Sequence, residues 1–264
     1  MSTPCELIIY SPEKMKADKV AEAILVETKR LEKKYNYYDS ESFLSALNNR
    51  SIQAIDNETK TLLQRAMQYY HVTKGVFDIT VATFKNLYSN ETDLKILEAQ
   101  KQRLLPFVGC EHISLKKDKL VFDNEHTKID LGGFVKEYAV DRAVGILKKQ
   151  KIASALVNFG GDIYALGLKP DKTKFTVGIK DPQNLNIFAQ HIEIQDQALT
   201  TSASYERNTK IDNETFSHIL SKETKTSLNN SVTVISHNCV ESGVYSTSLM
   251  ININIKTNNK VIFL

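Results

Sequence analysis

The chain has 264 residues, 42% of them hydrophobic and 25% charged, enough to bury a full core as one domain or two small ones. Its net charge of +3, with no run of Lys and Arg interleaved with aromatics, argues against nucleic acid as a partner. Three cysteines without short spacing give neither a disulfide framework nor a Cys-x-x-Cys metal site, and no stretch of about eighteen apolar residues is present to span a membrane. Residues 1–12 lack the charged-then-apolar run of a signal peptide, so the sequence reads as cytoplasmic as written, or periplasmic if a leader has been removed.

In chain order, Cys5–Tyr10 reads as a strand stopped by Ser11-Pro12. Residues 14–35 then carry Val20, Ala21, Ile24, Thr28, Leu31 and Tyr35 on one face, which predicts a long amphipathic helix. Residues 42–48 predict a short helix and 57–73 a longer one, with Gly75 where a C-terminal cap belongs. Helical spacing returns at 83–88 and 92–104 and stops at Pro106; residues 112–115 and 120–123 predict a hairpin. Further on, Phe175–Lys180, 187–194, 197–202 and Ser231–Ser236 read as strands and 240–251 as a last helix. The Asn/Ile alternation of 252–255 predicts a closing hairpin with Lys260–Phe263. The basic clusters Lys29-Arg30, Lys33-Lys34 and 148–151 read as solvated helix faces.

Between these halves, residues 128–167 hold six of the ten glycines (Gly132, Gly133, Gly145, Gly160, Gly161 and Gly167). The pattern is strand, Gly-Gly turn, helix, strand, second Gly-Gly turn. Glycine permits positive φ and close approach of backbone N–H groups, and a helix opening after such a pair offers free donors to an anion, with Lys136 adding charge. A nucleotide phosphate is one guest for this arrangement; simple chain reversal is the alternative. Asp130 is expected to hydrogen-bond the first turn. Asp162 either caps the second turn or faces the nucleotide. Asp141 and Arg142 cannot share a helix face, and Arg142 is expected in solvent. Tyrosines 35–38 and 69–70 are expected in the core rather than stacked on a ring. The histidines outside 218 lack ligand spacing, which argues against zinc, and no Walker loop, G-x-G-x-x-G or G-x-S-x-G occurs.

K-I-D-L-G-G-F-V-K-x-Y-A-V-D-R-A, then L-V-N-F-G-G-D-I-Y-A-L-G, then V-G-I-K-D-P, in this order and spacing, resemble the ApbE family of flavin transferases. Met1-Ser2-Thr3-Pro4 resembles the family's M-G-T start, Gly75-Val76-Phe77-Asp78-Ile79-Thr80 its G-x-F-D-P-T, Thr201-Ser202-Ala203-Ser204-Tyr205 its T-S-G-D-Y, and Ser217-His218-Ile219-Leu220 its S-H-I-I-D-P. The resemblance implies one α+β domain over residues 1–264, T-fold-like, with mixed or antiparallel sheets packed with helices around a flavin cleft. It implies FAD as substrate and Mg²⁺ as metal. FMN would pass from FAD to a Thr or Ser hydroxyl of an acceptor protein with release of AMP; some relatives hydrolyse FAD to FMN and AMP instead. Carried over by position, Asp78, Thr80, Lys136, Gly160, Gly161, Asp162 and Ser202 would bind the flavin nucleotide. His218 would act beside the phosphates, and the Val135 carbonyl and Thr247 would hold the metal.

Several positions depart from the pattern. Where the family ends its metal site with A-D-A-L-A-T, this chain has Ser242-Gly243-Val244-Tyr245-Ser246-Thr247, so Gly243 stands at the aspartate, one helical turn before Thr247. Ser221-Lys222 replaces Asp-Pro, Lys225 replaces a Gly, Ala203-Ser204 replaces Gly-Asp, and Phe43 stands at a Glu unless Ser40-Glu41 serves instead. Two readings follow: an active transferase, or a degenerate relative that binds a flavin nucleotide or a partner protein without chemistry.

Overall fold

In the computed structural model, which describes residues 3–90, 93–205, 208–212, 214–217, 219–222 and 230–264, the first half follows the sequence pattern closely. β1 (Cys5–Tyr10) leads into α1 (Lys14–Tyr35), whose Val20, Ile24, Thr28, Leu31 and Tyr35 form the buried stripe. α2 (Phe43–Asn48) and α3 (Asn57–Val72) start at side-chain caps, Ser42 accepting from the Ser45 N–H and Asp56 from the Thr59 N–H. Past the end of α3, Gly75 at φ +82° donates its N–H to the Tyr70 carbonyl at 2.7 Å, the expected left-handed stop. A 3₁₀ turn (Ile79–Phe84), α4 (Lys85–Asn90) and α5 (Leu94–Leu104) precede the hairpin of β2 (Ile113–Lys116) and β3 (Lys119–Phe122).

α6 (Gly132–Lys149), β4 (Ser154–Phe159) and β5 (Asp162–Leu166) form the centre. Two expectations change here. Residues 128–131 do not form a strand: their backbone is held by isolated bonds, from Ile129 N–H to Asn48 Oδ1 and from Asp130 N–H to the Ile79 carbonyl. Gly132 and Gly133 do not form a positive-φ turn either; they open α6, Gly133 sitting at φ −87°. Asp130 Oδ1 accepts the Gly132 N–H at 2.8 Å, as expected for its turn-holding role, and so occupies a donor that an anion would use.

β6 (Phe175–Lys180) and β7 (Phe188–Ile194) pair as a hairpin, followed by β8 (Gln197–Ala203), the short hairpin β9 (Asn208–Ile211) and β10 (Glu214–Ser217), β11 (Ser231–Ser236), α7 (Cys239–Ile251) and β12 (Lys260–Phe263). One antiparallel sheet takes the order β1-β4-β5-β8-β11-β12. The predicted closing hairpin is absent: residues 252–255 turn on themselves, Asn254 N–H bonding Asn252 Oδ1, and β12 pairs instead with β11. The β9–β10 hairpin is an addition to the sequence reading.

α1, α6 and α7 cover one face of the sheet, and the β6–β7 hairpin covers part of the other with Phe175, Val177 and Ile194 packed on Ile163, Ala165 and Leu199. β5 is therefore buried on both sides, which is why D-I-Y-A-L shows no polar alternation. The basic clusters are exposed as expected except at Lys34, which is 14% exposed and lies 2.9 Å from Glu58. Cys5 is exposed while Cys110 and Cys239 are buried free thiols. Among the described residues, no helix is long and apolar enough to cross a membrane.

Asp141 and Arg142 diverge as their spacing requires. Arg142 is half exposed and paired with Glu27 at 2.9 Å, whereas Asp141 turns inward and accepts the Cys239 and Val240 N–H groups at 2.7 and 3.2 Å, capping α7 from α6. Asp141→Ala would leave both donors buried and is expected to cost about 2 kcal/mol, read as a lower urea midpoint.

Candidate functional site

Side chains alternate along β5 and β8, so Asp162, Thr200 and Ser202 share the face under α6 and α7. Asp162 follows the second glycine pair directly. Gly160 (φ +62°) and Gly161 (φ +92°) both need the left-handed region, so here the expected glycine turn is real. A Cβ on Gly160 would lie 2.7 Å from the Thr3 Cβ, and the Gly160 N–H bonds the Pro4 carbonyl at 3.0 Å, so the chain start packs on this turn. Gly161 faces open space.

Asp162 is 1% exposed, with Lys136 Nζ at 2.6 Å from its Oδ2 and the side chains of Glu137 and Thr200 beside it. The next residue of α6, Glu137, is 4% exposed and reaches under α7 at Gly243. A Cβ at position 243 would fall 2.5 Å from Glu137 Cγ and 3.0 Å from its carboxyl carbon. Glu137 Oε2 has no hydrogen-bond partner among the described residues. Lys136 thus sets one positive charge against two buried carboxyls. Burial, and then the neighbouring Asp162 charge, push Glu137 up to about 8; burial raises Asp162 as well, against the pull of Lys136.

A pH dependence follows. Burial also raises Asp141, to about 6. The folded chain keeps protons on these two groups that the unfolded chain has released near the ordinary carboxylate values, so their contribution to stability is full below about 4 and is lost as pH rises through 6 toward about 8. Melting temperatures of the protein in the absence of added cation are expected to fall from pH 5 to pH 8, and Glu137→Gln should flatten the upper part of that decline.

Hydroxyls continue the polar seam along α7. Thr200 Oγ1 meets Ser242 Oγ at 2.9 Å, and Ser202 Oγ lies 2.8 Å from Ser246 Oγ and 3.2 Å from Thr247 Oγ1. Gly243 and Thr247, four residues apart, lie on the same side of the helix. The fold therefore brings Lys136, Gly160, Gly161, Asp162, Ser202 and Thr247 to one seam. Val135 lies in the first turn of α6 with its side chain 5% exposed in the core, so any contact with a guest goes through its main chain. The donors here are carboxylates and hydroxyls, with one buried carboxylate oxygen unsatisfied. That set fits a hard, oxygen-seeking cation such as Mg²⁺. No group of three His, Cys, Asp or Glu able to hold a metal occurs among the described residues.

Asp78 and Thr80 belong to a separate cluster. Asp78 Oδ1 accepts the Thr80 N–H at 2.8 Å, Thr80 Oγ1 accepts the Gly109 N–H at 2.7 Å, and Asp78 Oδ2 lies 3.3 Å from Lys222 Nζ. These contacts brace the loop beside Phe77, whose ring packs 5.8 Å from Phe134 at the start of α6. Tyr69 joins the same aromatic cluster, against Phe77, Phe134 and Tyr245, the core role expected for it. His218 lies outside the described residues. A depression of about 240 Å³ lined by Ile192, Gln197, Ser236, His237 and Lys260 sits at the other end of β8 and β11 from Ser202, and none of the predicted site residues lines it.

Glu137 is the residue that sequence reasoning missed. Its signal was the helix pattern itself: Phe134, Glu137, Val140 and Val144 fall on one inward face, and a carboxylate there interrupts an apolar stripe.

The description "ApbE family" matches residues 1–257. Among characterised proteins, an FAD:protein FMN transferase of Vibrio cholerae is 27% identical over 225 residues, covering 81% of this chain and 67% of that protein. One from Klebsiella pneumoniae is 32% identical over 126 residues, covering 46% of this chain and 38% of its own length. Against an Escherichia coli relative the chain spans 54% of the length. Among solved structures, the ApbE protein of Thermotoga maritima superposes with TM-score 0.88 at 26% identity, over 99% of this chain and 90% of that one. The flavin transferase ApbE of Vibrio cholerae gives 0.85 at 22% identity, over 100% and 90%.

Proposed function

Because the chain belongs to the ApbE family, we propose that it is an FAD:protein FMN transferase working at the seam between α6, α7 and the sheet. The observation that carries this reading is the Lys136–Asp162 ion pair beside the Gly160-Gly161 turn, which sets a cation and exposed backbone at one place.

In the reaction, a Thr or Ser hydroxyl oxygen of the acceptor protein attacks the phosphorus of the FMN half of FAD. A new P–O ester bond forms, the pyrophosphate P–O bond breaks, and its electron pair leaves on AMP. The hydroxyl proton passes to a base, for which His218 is the candidate on its sequence match alone. Lys136 offsets the pyrophosphate charge, Asp162 holds Lys136 in place, and the open side of Gly161 admits the ligand's approach. A magnesium ion, when bound, would neutralise further phosphate charge. Ser202 and Thr247 present hydroxyls to the same seam. Asp78 and Thr80 act indirectly, by fixing the loop behind Phe134. The alternative of a binding protein without chemistry is less well supported, because its premise was a missing carboxylate and the seam contains two.

The test mixes the protein with FAD, MgCl₂ and a known flavinylation acceptor. Covalent flavin fluorescence in the acceptor band with stoichiometric AMP is the expected result. Free FMN and AMP without labelled acceptor would mean hydrolysis, with water in place of the hydroxyl. FAD recovered intact would sink the enzymatic reading.

A further inference from the structure

A buried carboxylate with an unsatisfied oxygen is costly, and proteins keep one where something fills it. Glu137 is such a group, 4% exposed with Oε2 unpartnered among the described residues. Its place is specific. It leans into the gap left by Gly243, so closely that a side chain starting from residue 243 would strike Cγ at 2.5 Å. A carboxylate on α6 and a side chain on α7 are therefore mutually exclusive occupants of one volume. Thr247 stands one turn further along α7 from that gap, and Asp162 lies against Glu137 from the sheet.

We propose that Glu137 is a divalent-cation ligand of this chain, its carboxylate entering from α6 the space that an acidic residue at 243 would otherwise serve from α7. With Asp162 and the Thr247 hydroxyl it offers oxygens from a second helix and from the sheet, a donor set for Mg²⁺ or Mn²⁺. Lys136, Asp162, Asp141 and the Cys239 thiol are the titratable groups around the pair, and Lys136 is the cation already present. The glycine at 243 is then the partner of Glu137 rather than a lesion. The inference rests on the transferase reading only for the purpose of the cation; binding itself needs no FAD.

The experiment titrates MnCl₂ into the protein without FAD and follows loss of the free-ion electron paramagnetic resonance signal. Wild type is expected to bind, Glu137→Gln to bind roughly tenfold or more weakly, and Gly243→Asp alone to bind no better than wild type because the two side chains collide. Joining Glu137→Gly to Gly243→Asp is expected to recover binding. The inference is overturned if wild type takes up no Mn²⁺, if Glu137→Gln matches wild type, or if Gly243→Asp alone binds tighter. If Glu137→Gln does not fold, the double variant decides, and its failure to bind overturns the relocation. Glu137-dependent Mn²⁺ binding with no FMN transfer would remove the transferase reading and leave this one standing.

Discussion

Replacing Lys136 with Met is expected to lower FMN transfer by at least about a hundredfold, a loss in the range seen when one preorganised electrostatic contact is removed. Methionine keeps the length and packing of the stem, so the fold should hold and the change isolates the charge. Two effects combine. The pyrophosphate loses its cation, and Asp162, now without the ammonium at 2.6 Å, joins Glu137 as a pair with no counter-charge from α6. That pair then holds its proton more firmly, since both carboxyls are already raised by burial. Single-turnover labelling of the acceptor together with the urea midpoint separates the two contributions. A rate within threefold of wild type, at normal stability, would place the phosphates elsewhere.

The largest effect on stability is expected at Gly167, where Ala should cost about 3 kcal/mol or more. Its φ of +66° is one component, and the second is a Cβ that would lie 2.0 Å from the Ala153 carbonyl oxygen, a backbone atom with little freedom to retreat. The Gly167 N–H also bonds Asp196 Oδ1 at 2.9 Å, which ties the turn to the start of β8. Gly161→Ala is the control: its φ is +92° but nothing lies within 4 Å of the added carbon, so it should cost about 1–2 kcal/mol. Urea unfolding of both variants measures the difference. Equal losses would mean that the Ala153 segment yields.

The helices of the first half were legible because each carries its own punctuation: Ser42 and Asp56 as caps, Gly75 as a stop, and an apolar stripe between. Gly132-Gly133 misled because a glycine pair has the same sequence signature whether it turns the chain or opens a helix; what decided was Asp130, whose carboxylate satisfies the Gly132 N–H. β5 gave no alternation because both its faces are covered. Lys136, Gly160, Gly161, Asp162, Ser202 and Thr247 were singled out by position, and the contacts between them could not have been read from it, since they join strands and helices far apart in the chain. Position alone also made Gly243 a loss. Only the crossing of α6 and α7 shows that Glu137, 106 residues earlier, occupies the space.

The three thiols differ in a way that turns the site into something visible. Cys110 and Cys239 are buried, and burial holds both far above the ordinary thiol range, so neither presents a thiolate to a reagent. Cys5 is exposed and follows Pro4, whose carbonyl is bonded to the Gly160 N–H. A maleimide fluorophore added to the folded protein is therefore expected to attach at Cys5, beside the glycine turn, and a change in its emission on adding FAD would test the proposed nucleotide site with no engineered residue.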